Sequence, residues 1–528
     1  MTNSIAEIEN TDFLFVIGSN TTEAHPVIAL RMKKAARRGA TIVVADPRKI
    51  WLTKLAKYHL QLQPGTDVWL INALMHVIVS EDLVDHDYIR DHTEDYEAVK
   101  EVVLRYPPEE AEKITGVPAD LIRKTARAYA TTDRAGVYYT LGITEHTTGV
   151  DNVLSLCNMV VMTGHLGRES VGMNPLRGQN NVQGANDMGN NPIYHAGYQR
   201  VDDPEIRKKF SSAWGVTVPE TPGYRLDQMM SGMHDGRIKG FYIMGEDPIL
   251  SEPDSNHVEK GFAGLEFVAC QDIFLSETAR KFADVVLPAA CFAEKNGTFT
   301  NSERRVQMCR KAVEPPGQAK PDWEILQSVA QQLGANWNYS CPQEIWDEAA
   351  DLSPRFAGIR YDRIQQEGIQ WPCWDREHPG EKFMHEGRPF RGKARMFPIE
   401  YRPPHEVADA EYDLIMSTGR TLYHYNAATQ TRRVSGLESK QGSAFIEVNP
   451  SDAAVRGIEP DEKIVIRSRR GAIQARAEVT TAVPPGVVWM PMHYAEARAN
   501  ELTHDVGDPE IGTPEYKVTA VRVEKLAG

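Results

Sequence analysis

One arginine stands in a segment that is unusually rich in amides and glycine. Residues 174–189 contain Arg177 together with four asparagines, two glutamines and three glycines. Amides and glycines weaken both helices and strands, so this composition fits neither element. A guanidinium presents a rigid fork of N–H donors that matches a carboxylate. Arg177 is therefore a candidate for binding a small carboxylate substrate. An arginine that satisfies loop carbonyl groups remains the alternative.

Two glycine–aspartate pairs recur with nearly equal spacing. Gly18 and Gly245 each follow a short apolar run, and Asp46 and Asp272 each follow the next such run, 28 and 27 positions later. A glycine after a strand lets backbone N–H groups approach a phosphate, and an aspartate accepts from ribose hydroxyls or a base edge. The spacing predicts a weak internal repeat with two nucleotide-binding half-sites. Ordinary α/β loops are the alternative, because neither loop contains G-x-G-x-x-G.

The elements that would position these residues alternate between strand and helix. Apolar runs predict strands at 13–17, 41–45, 241–244 and 265–270, and helical spacing predicts a helix over 25–38 that ends at Gly39. Residues 152–163 also have helical character. Such alternation is typical of an α/β fold with doubly wound parallel sheets, whose ligands bind at the carboxyl ends of the strands.

The C-terminal part has a different sequence pattern, without the alternation of strand and helix. Short β runs separated by turn signals lie at 413–417, 444–448, 463–467, 472–477 and 486–490, and they predict a small β-barrel. Residues 371–406 are rich in proline, glycine and charge and predict a linker or covering loop. The predicted domains are 1–180, with the first half-site and Arg177; 181–405, with the second half-site and the linker; and 406–528, the barrel.

Composition limits the classes of function. The 528 residues suggest three or four domains, and 59 Lys and Arg against 73 Asp and Glu give a net charge of −14. This balance disfavours a dedicated nucleic-acid or anionic-membrane binder. No apolar run reaches the ~20 residues that span a bilayer, so membrane insertion is not expected. The six cysteines form no C-x-x-C pair, which favours a reduced, cytoplasmic setting over a disulfide framework or a metal cluster.

Segment 174–189 resembles the signature of the formate dehydrogenase catalytic subunit. That subunit belongs to the molybdenum/tungsten oxidoreductases that bind two molybdopterin guanine dinucleotides. The similarity continues through segments spread over nearly the whole chain, which lie at 17–26, 46–49, 64–67, 244–248, 271–274, 283–288, 392–397, 417–420, 500–503 and 513–517. The resemblance implies two pseudo-symmetric dinucleotide-binding α/β domains and a C-terminal barrel, which would account for the repeat.

The resemblance also implies roles for individual residues. Arg177 would hold the formate carboxylate beside the metal, with Gln179 near it. The dinucleotide-binding residues implied are Gly18, Asn20, Asp46, Arg48, Gly65 and Asp67 for one copy, Gly245, Glu246, Gln271, Asp272 and Ser276 for the other, and Arg420, His424 and Asn500 from the barrel. His146 and His165 are expected to be structural. No metal ligand is assigned within this chain.

Two features of the family do not occur in this sequence. These are the four cysteines of an N-terminal 4Fe–4S domain and the selenocysteine or cysteine that binds the metal. We expect Met1 to be an internal methionine of a longer polypeptide whose gene model opens downstream of a UGA selenocysteine codon; a split subunit is the rival. The isolated chain is expected to show little or no formate oxidation.

The predicted function is oxidation of formate to carbon dioxide at molybdenum or tungsten, with electrons passed to iron–sulfur or flavin subunits. Within the enzyme class, the alternative is a sibling reductase of nitrate, arsenate or another oxyanion. Outside it, the alternative is a non-catalytic scaffold subunit of an electron-transfer complex.

Overall fold

The computed structural model describes residues 1–526. The chain forms two compact units. The first comprises Met1–Leu176, Leu250–His257 and the chain from Phe383 onward, and the second comprises Arg177–Ile249 and Val258–Lys382. The barrel therefore shares a compact unit with the first α/β region. The predicted three-way division placed it in a domain of its own, and its boundaries remain a prediction.

The first α/β region follows the predicted alternation of strands and helices. Its elements are β1 Phe13–Ile17, α1 Thr21–Ala24, α2 Pro26–Arg37, β2 Thr41–Ala45, β3 Tyr58–Leu60, α3 Asp67–Ser80, α4 His86–His92, β4 Thr93–Glu94, α5 Tyr96–Val103, α6 Pro108–Thr115, α7 Ala119–Thr131, β5 Ala135–Tyr139, α8 Leu141–Thr144, α9 Gly149–Met162 and β6 Gly172–Pro175. Helix α2 ends at Arg37, and Gly39 has a φ of +98° just beyond it, as a helix C′ residue does.

The sheet of this region is parallel and covered on both faces. Its strand order is β3-β2-β1-β5-β6. Every residue of β1 is buried, and its alternate side chains enter two different cores. Phe13, Phe15 and Ile17 pack with residues of α3, α7 and α9, whereas Leu14 and Val16 pack with residues of α2. The continuous apolar run therefore forms a central strand of a doubly wound sheet, as predicted.

The middle of the chain carries shorter strands and further helices. Its elements are α10 Val182–Asp187, β7 Tyr194–His195, β8 Gln199–Arg200, α11 Pro204–Trp214, α12 Leu226–His234, β9 Gly240–Met244, α13 Pro248–Ser251, α14 Ser255–Ala263, β10 Phe267–Asp272, α15 Glu277–Phe282, β11 Val285–Pro288, β12 Gly297–Thr300, β13 Arg305–Cys309, α16 Asp322–Gln332, α17 Pro342–Leu352 and β14 Ile369–Gln370. Strand β10 starts two residues later than predicted, because Leu265 still belongs to a turn in which its N–H donates to the Phe262 carbonyl.

The two α/β regions repeat one another in detail. Strands β11, β10 and β9 form a parallel sheet in that order, matching β3-β2-β1. Gly18 and Gly245 both have a left-handed backbone, with φ of +54° and +64°. Gly18 donates its N–H to the Ala45 carbonyl at 2.9 Å, and Gly245 donates to the Gln271 carbonyl at 2.9 Å. Since both acceptors immediately precede the aspartate of the pair, the predicted repeat extends to equivalent hydrogen bonds.

The C-terminal region forms a closed barrel. Its elements are β15 Ala394–Arg395, β16 Leu414–Gly419, α18 Ser435–Glu438, β17 Phe445–Val448, α19 Pro450–Arg456, β18 Lys463–Arg467, β19 Ala472–Val479, β20 Val487–Pro491 and β21 Thr519–Lys525. The barrel closes in the order β16-β20-β17-β19-β18-β21. Five of its strands were predicted. The sixth, β21, was missed although it alternates apolar and polar side chains. No helix among residues 1–526 has the length and apolar character needed to cross a membrane.

Candidate functional site

A cleft in the first unit lies where the order of strands reverses. The chain runs from β1 outward to β2 and β3, and β5 then pairs with the other side of β1, so the connections that leave β1 and β5 lead toward opposite edges of the sheet. At this point Gly142 donates its N–H to the Gly18 carbonyl at 3.1 Å. A Cβ atom added to Gly18 would lie 2.6 Å from the Gly142 carbonyl carbon. The two loops therefore meet backbone to backbone, at the position where open α/β sheets bind ligands.

Residues of the α/β region and of the barrel line this cleft together. Its cavity volume is about 130 Å³. The polar side chains and glycines that line it are Gly18, Asn20, His25, Asp46, Arg48, Asp67, Thr140, Gly142, Glu145, His146, Ser417, Thr418, Gly419, Arg420 and Lys517. Six of the nine residues predicted for the first dinucleotide and the barrel are among them. The structure thus brings together predicted residues that are up to 402 positions apart in the chain, from Gly18 to Arg420.

Asp46 is a half-buried residue directly after β2. Its Oδ1 accepts the Arg48 backbone N–H at 2.9 Å, which forms a tight turn after the strand. Burial raises the pKa of Asp46 to about 6, although the Arg48 N–H and charge oppose that rise. The Arg48 guanidinium donates through Nε to Glu447 Oε2 at 2.7 Å and lies 3.9 Å from the Trp489 ring centroid. Arg48 therefore joins the α/β region to the barrel wall beside the cleft.

A second set of charges lies at the start of α3. Asp67 is 6% exposed and is the first residue of that helix. Burial raises the pKa of Asp67, and the nearby His146 opposes the rise. Also in the lining of the cleft, Lys517 Nζ lies 2.7 Å from Glu145 Oε2 and donates to the Thr418 carbonyl at 3.1 Å. The cleft thus combines three cations with three carboxyl groups.

Two donors that line the cleft have unfilled hydrogen-bonding capacity. Asn20 Nδ2 and Arg420 Nε are buried and have no hydrogen-bond partner among residues 1–526. Buried donors without acceptors are rare in folded proteins and point to an unrepresented ligand. Phosphate oxygens are acceptors of the right kind for an amide and a guanidinium. These residues therefore fit the polar part of a dinucleotide.

Three predicted residues of this unit lie outside the lining of the cleft. Gly65 adjoins Pro64, which does line it, and has a φ of +80°. His424 contacts Thr431 Oγ1 through Nδ1 at 3.2 Å and the Gln441 carbonyl through Nε2 at 2.7 Å. Asn500 donates to the carbonyls of Leu250 and Ser251 at 3.0 and 2.9 Å. The ring nitrogens of His424 and the amide hydrogens of Asn500 are thus engaged by the protein, and cofactor binding by all three stays a prediction.

The second half-site belongs to the other compact unit. Gly245 and Glu246 are exposed, and a Cβ added to Gly245 would meet no atom within 4 Å. Asp272 is half-buried, and burial raises its pKa. Gln271 is buried: its Nε2 donates to Asp322 Oδ1 at 2.8 Å. Ser276 caps α15 by accepting the Ala279 N–H at 3.2 Å.

Arg177 is an exposed arginine with a supported backbone in the second unit. Its N–H donates to Ser302 Oγ at 3.1 Å, and its Nε donates to Gln183 Oε1 at 3.3 Å. The Gln183 amide in turn donates to Asp187 Oδ1 at 2.8 Å and to the Tyr198 hydroxyl at 2.9 Å. Arg177 forms no ion pair with any residue in 1–526. Gln183 therefore holds one side of the guanidinium, and Asp187 acts on its charge through space without forming an ion pair. Gln179 is half-buried in the same loop.

Several residues of the cleft were not predicted as site residues. Thr140 and Gly142 follow β5, an apolar run with a glycine three positions beyond it, so the signal used for Gly18 would have found them. Lys517 lies in segment 513–517, whose family resemblance was noted without assigning the lysine a role. Glu145 and His146 carried no signal in the sequence, because their partners come from the distant C-terminal region.

Two family models match the chain. The model described as molybdopterin oxidoreductase matches residues 1–332. The model described as molydopterin dinucleotide binding domain matches residues 414–520, which include the barrel strands from β16 to the start of β21. The first match contains Gly18, Asp46, Arg177 and Gly245, and the second contains Arg420.

Full-length similarity extends to curated proteins and to solved structures. The F420-dependent formate dehydrogenase subunit alpha of Methanocaldococcus jannaschii is 46% identical, with 100% of this chain and 78% of the relative covered. Formate dehydrogenase H of Escherichia coli is 39% identical, with 100% and 74% covered. Among solved structures, acetylene hydratase from Pelobacter acetylenicus superposes with a TM-score of 0.78 at 17% identity, covering 99% of this chain and 81% of that one. The last likeness concerns the fold alone.

Proposed function

The chain belongs to the molybdopterin oxidoreductase family, and from this membership we propose that it oxidises formate to carbon dioxide. The relatives named above as formate dehydrogenases support this substrate. The cofactor is molybdenum or tungsten with two molybdopterin guanine dinucleotides, and when bound it supplies the two-electron redox chemistry. The overall reaction converts formate into carbon dioxide, one proton and two electrons.

The observation that carries the proposal is the guanidinium of Arg177, which is exposed and forms no ion pair with any residue in 1–526. Formate has one carbon, so its carboxylate is the only group that a protein can grip. A guanidinium donates two parallel N–H bonds to such a carboxylate. The hydrogen bond from Arg177 Nε to Gln183 and the buried Asp187 behind it restrict the side chain before substrate arrives. The guanidinium is therefore already oriented when formate binds, which lowers the entropic cost of the reaction. We propose Gln179 as its neighbour at the substrate.

The cleft of the first unit is proposed to hold one dinucleotide. Asn20 and Arg420 would donate to its phosphates through the buried N–H groups that lack partners. Asp46 and Asp67 would accept from its ribose and base. Arg48 and Gly65 complete that half-site in the proposal. Gly245, Glu246, Gln271, Asp272 and Ser276 would serve the second copy. His424 and Asn500 of the barrel region are proposed to contact the pterins.

Electrons released from formate need an acceptor. We propose an iron–sulfur or flavin subunit as the partner that receives them. We also propose a cytoplasmic location, with which the six free cysteines are compatible. Isolation of the native assembly, with identification of its subunits and of its location in the cell, tests both proposals.

Substitution of Arg177 tests the proposed function. In holoenzyme purified from the source organism, Arg177→Lys keeps the charge but removes the planar fork. We expect kcat/KM for formate to fall about 100-fold, since bidentate bonds to a charged group contribute about 1.5–3 kcal/mol each. The measurement is formate-dependent dye reduction together with metal and pterin content.

The matched control is Arg200→Lys. Arg200 is an exposed arginine of the same unit that pairs with Asp202 at 2.6 Å, and its replacement should leave kcat/KM within about twofold. Unchanged formate kinetics in Arg177→Lys would contradict the proposed role of Arg177. Faster turnover of nitrate or arsenate than of formate by the native enzyme would favour the oxyanion reductase instead.

A further inference from the structure

His146 is a buried histidine that the proposed reaction does not use. It lies between α8 and α9, is 2% exposed and borders the cleft. Its Nε2 is 3.0 Å from the Gly142 carbonyl oxygen and 3.8 Å from Asp67 Oδ2. Its Nδ1 is 3.4 Å from Glu515 Oε1. Both ring nitrogens therefore face oxygen atoms. The Gly142 carbonyl oxygen is an acceptor and not a donor, and the same holds for the oxygens of Asp67 and Glu515 when these carboxyl groups are ionised.

This arrangement decides the protonation state of the ring. A neutral imidazole carries one N–H, so its second nitrogen would point a lone pair at an oxygen. The imidazolium form places an N–H toward both sides. Burial opposes the charge, but the close contact with Glu515 and the charges of Asp67 and Glu515 raise the pKa of His146 above its usual value.

His165 in the same α/β region shows the opposite case. Its Nδ1 faces the Thr163 hydroxyl at 2.9 Å and its Nε2 faces the Thr132 carbonyl at 2.9 Å. Because a hydroxyl can donate, a neutral ring satisfies both contacts. Burial lowers the pKa of His165 to about 4. His165 is thus an equally buried but uncharged histidine.

Glu515 anchors the imidazolium from the barrel side. It is fully buried and accepts from the Thr147 N–H at 3.2 Å, while its Oε2 lies 3.4 Å from His504 Nε2. Burial raises its pKa, but the close contacts with His146 and His504 outweigh that effect and lower the pKa of Glu515 to about 2. A carboxylate is therefore present on the side of His146 away from Asp67.

A positive charge on His146 stabilises the ionised form of Asp67, whose surroundings otherwise disfavour a negative charge. Asp67 is buried, and Asp46 and Glu515 add negative charge nearby. The imidazolium is the cation within 4 Å of its carboxyl group. An ionised carboxylate at the cleft accepts two adjacent N–H groups in parallel. Among nucleobases, guanine presents such a pair, N1–H and the 2-amino group, whereas adenine presents a ring acceptor beside its amino group.

We propose that His146 is a positioning residue for the dinucleotide: held as an imidazolium between Glu515 and Asp67, it keeps Asp67 ionised to receive the guanine edge. This inference rests on the proposed function only in requiring a guanine dinucleotide in the cleft. The titratable and charged groups around the pair are Asp67, Glu515, His504, Asp46, Glu145, Lys517 and Tyr401, with Glu406 and Arg470 beyond His504.

The first test reads the ring directly. In full-length chain with ¹⁵N-labelled histidine, assigned by comparison with His146→Gln, both ring nitrogens of His146 should give imidazolium signals at pH 7.5. His165 should give a neutral tautomer under the same conditions. A neutral tautomer at His146 at this pH would overturn the proposal.

The second test reads base recognition. Full-length chain produced in a host that makes no pterin cofactor is titrated with GMP, IMP and AMP between pH 6 and 8. The wild type should prefer GMP to IMP about tenfold, because IMP lacks the 2-amino donor. His146→Gln should lose about tenfold in GMP affinity at pH 6 and recover part of it by pH 8, as Asp67 ionises without help. The control His165→Gln should match the wild type.

A purely structural histidine would give a different result. His146→Gln would then lower the melting temperature while leaving the GMP preference and its pH profile unchanged, and this outcome would overturn the proposal. Lack of any GMP preference in the wild-type chain would overturn it as well. Neither result touches formate oxidation or the effect of Arg177→Lys, so failure of this inference and failure of the proposed function remain distinguishable.

Discussion

At the scale of single residues, the cleft keeps charged groups where burial makes them unfavourable. Asp46 accepts one backbone N–H, and Arg48, its nearest cation, is already paired with Glu447. A protein selected for stability alone would place a neutral side chain there. Retention of a partly buried carboxyl group with a raised pKa at the end of a strand is typical of a binding site rather than of a core.

Asp46→Asn should therefore stabilise the chain without cofactor. Folding raises the pKa of Asp46 from its usual value near 4 to about 6. The favourable contribution of its protonated form is complete below pH 4 and is lost as the pH rises through 6. Asparagine avoids the buried charge, so the free energy of unfolding should rise by about 3 kcal/mol at pH 7.5 and about half as much at pH 5. Chemical denaturation at both pH values measures this.

The control for Asp46→Asn is Asp120→Asn. Asp120 is exposed on α7 and pairs with Lys124 at 2.6 Å. Its replacement should change the free energy of unfolding by less than about 1 kcal/mol at either pH. A destabilised Asp46→Asn chain at pH 7.5 would mean that the carboxylate has a stabilising partner in the absence of cofactor.

At the scale of elements, two glycine loops at the ends of β1 and β5 make the cleft possible. Their backbones touch at Gly18 and Gly142, each of which would place a Cβ 2.6 Å from atoms of the other. Side chains at these positions would separate the loops and move the residues that follow. The alternation of strand and helix determines where the loops emerge, and the glycines determine how closely they pack.

Gly18→Ala tests that close approach. It adds a clash with Gly142 to the strain of a non-glycine residue at a φ of +54°, so we expect a loss of about 3 kcal/mol or more in the free energy of unfolding. Gly39→Ala in the same region is the control. Gly39 has a φ of +98° but no atom within 4 Å of an added Cβ, and its replacement should cost about 1–2 kcal/mol. Equal losses in the two variants would show that strain, not contact, governs Gly18.

At the scale of the whole molecule, one ligand site draws on both ends of the chain. The first α/β region and the barrel share a compact unit, and side chains of both line the cleft. A ligand that fills the cleft contacts both, so its binding energy stabilises both together. Each region without the other would retain only part of the site.

Hydrogen exchange of the full chain with and without cofactor should therefore change in both regions. We expect slower exchange at residues 18–25, 140–148 and 417–421 in the loaded protein, because local opening of any of them would cost ligand contacts. Strands β18 and β19, in the barrel wall, serve as the internal reference and should exchange equally in both states. Protection confined to 417–421 would show that the barrel binds the ligand alone.

Local sequence patterns were sufficient to predict the repeat and the strands and loop residues that the first α/β region contributes to the cleft at β1 and β2. Apolar runs predicted β1 and β2 to the residue, and the glycine and aspartate after them are where the structure has them. Strand β21 was missed because it follows a long irregular segment. His424 and Asn500 were assigned to the cofactor by family resemblance, and the structure engages both with protein carbonyl groups. A family resemblance identifies a residue by its position in the sequence, but it does not show which groups form hydrogen bonds with its side chain.

The sequence by itself determined which elements form and which residue types stand at their ends, because strand burial, helix termination and tight turns depend on neighbours within a few positions. Only the tertiary structure decided which charges meet. Arg48 pairs with Glu447 across 399 positions, and Thr147 reaches Glu515 across 368. No periodic pattern marks such pairs, since electrostatic interaction depends on distance in space and on shared exclusion of water. The proposed charge of His146 likewise depends on the tertiary structure, because Asp67 and Glu515, from two distant parts of the chain, supply oxygens that face the ring.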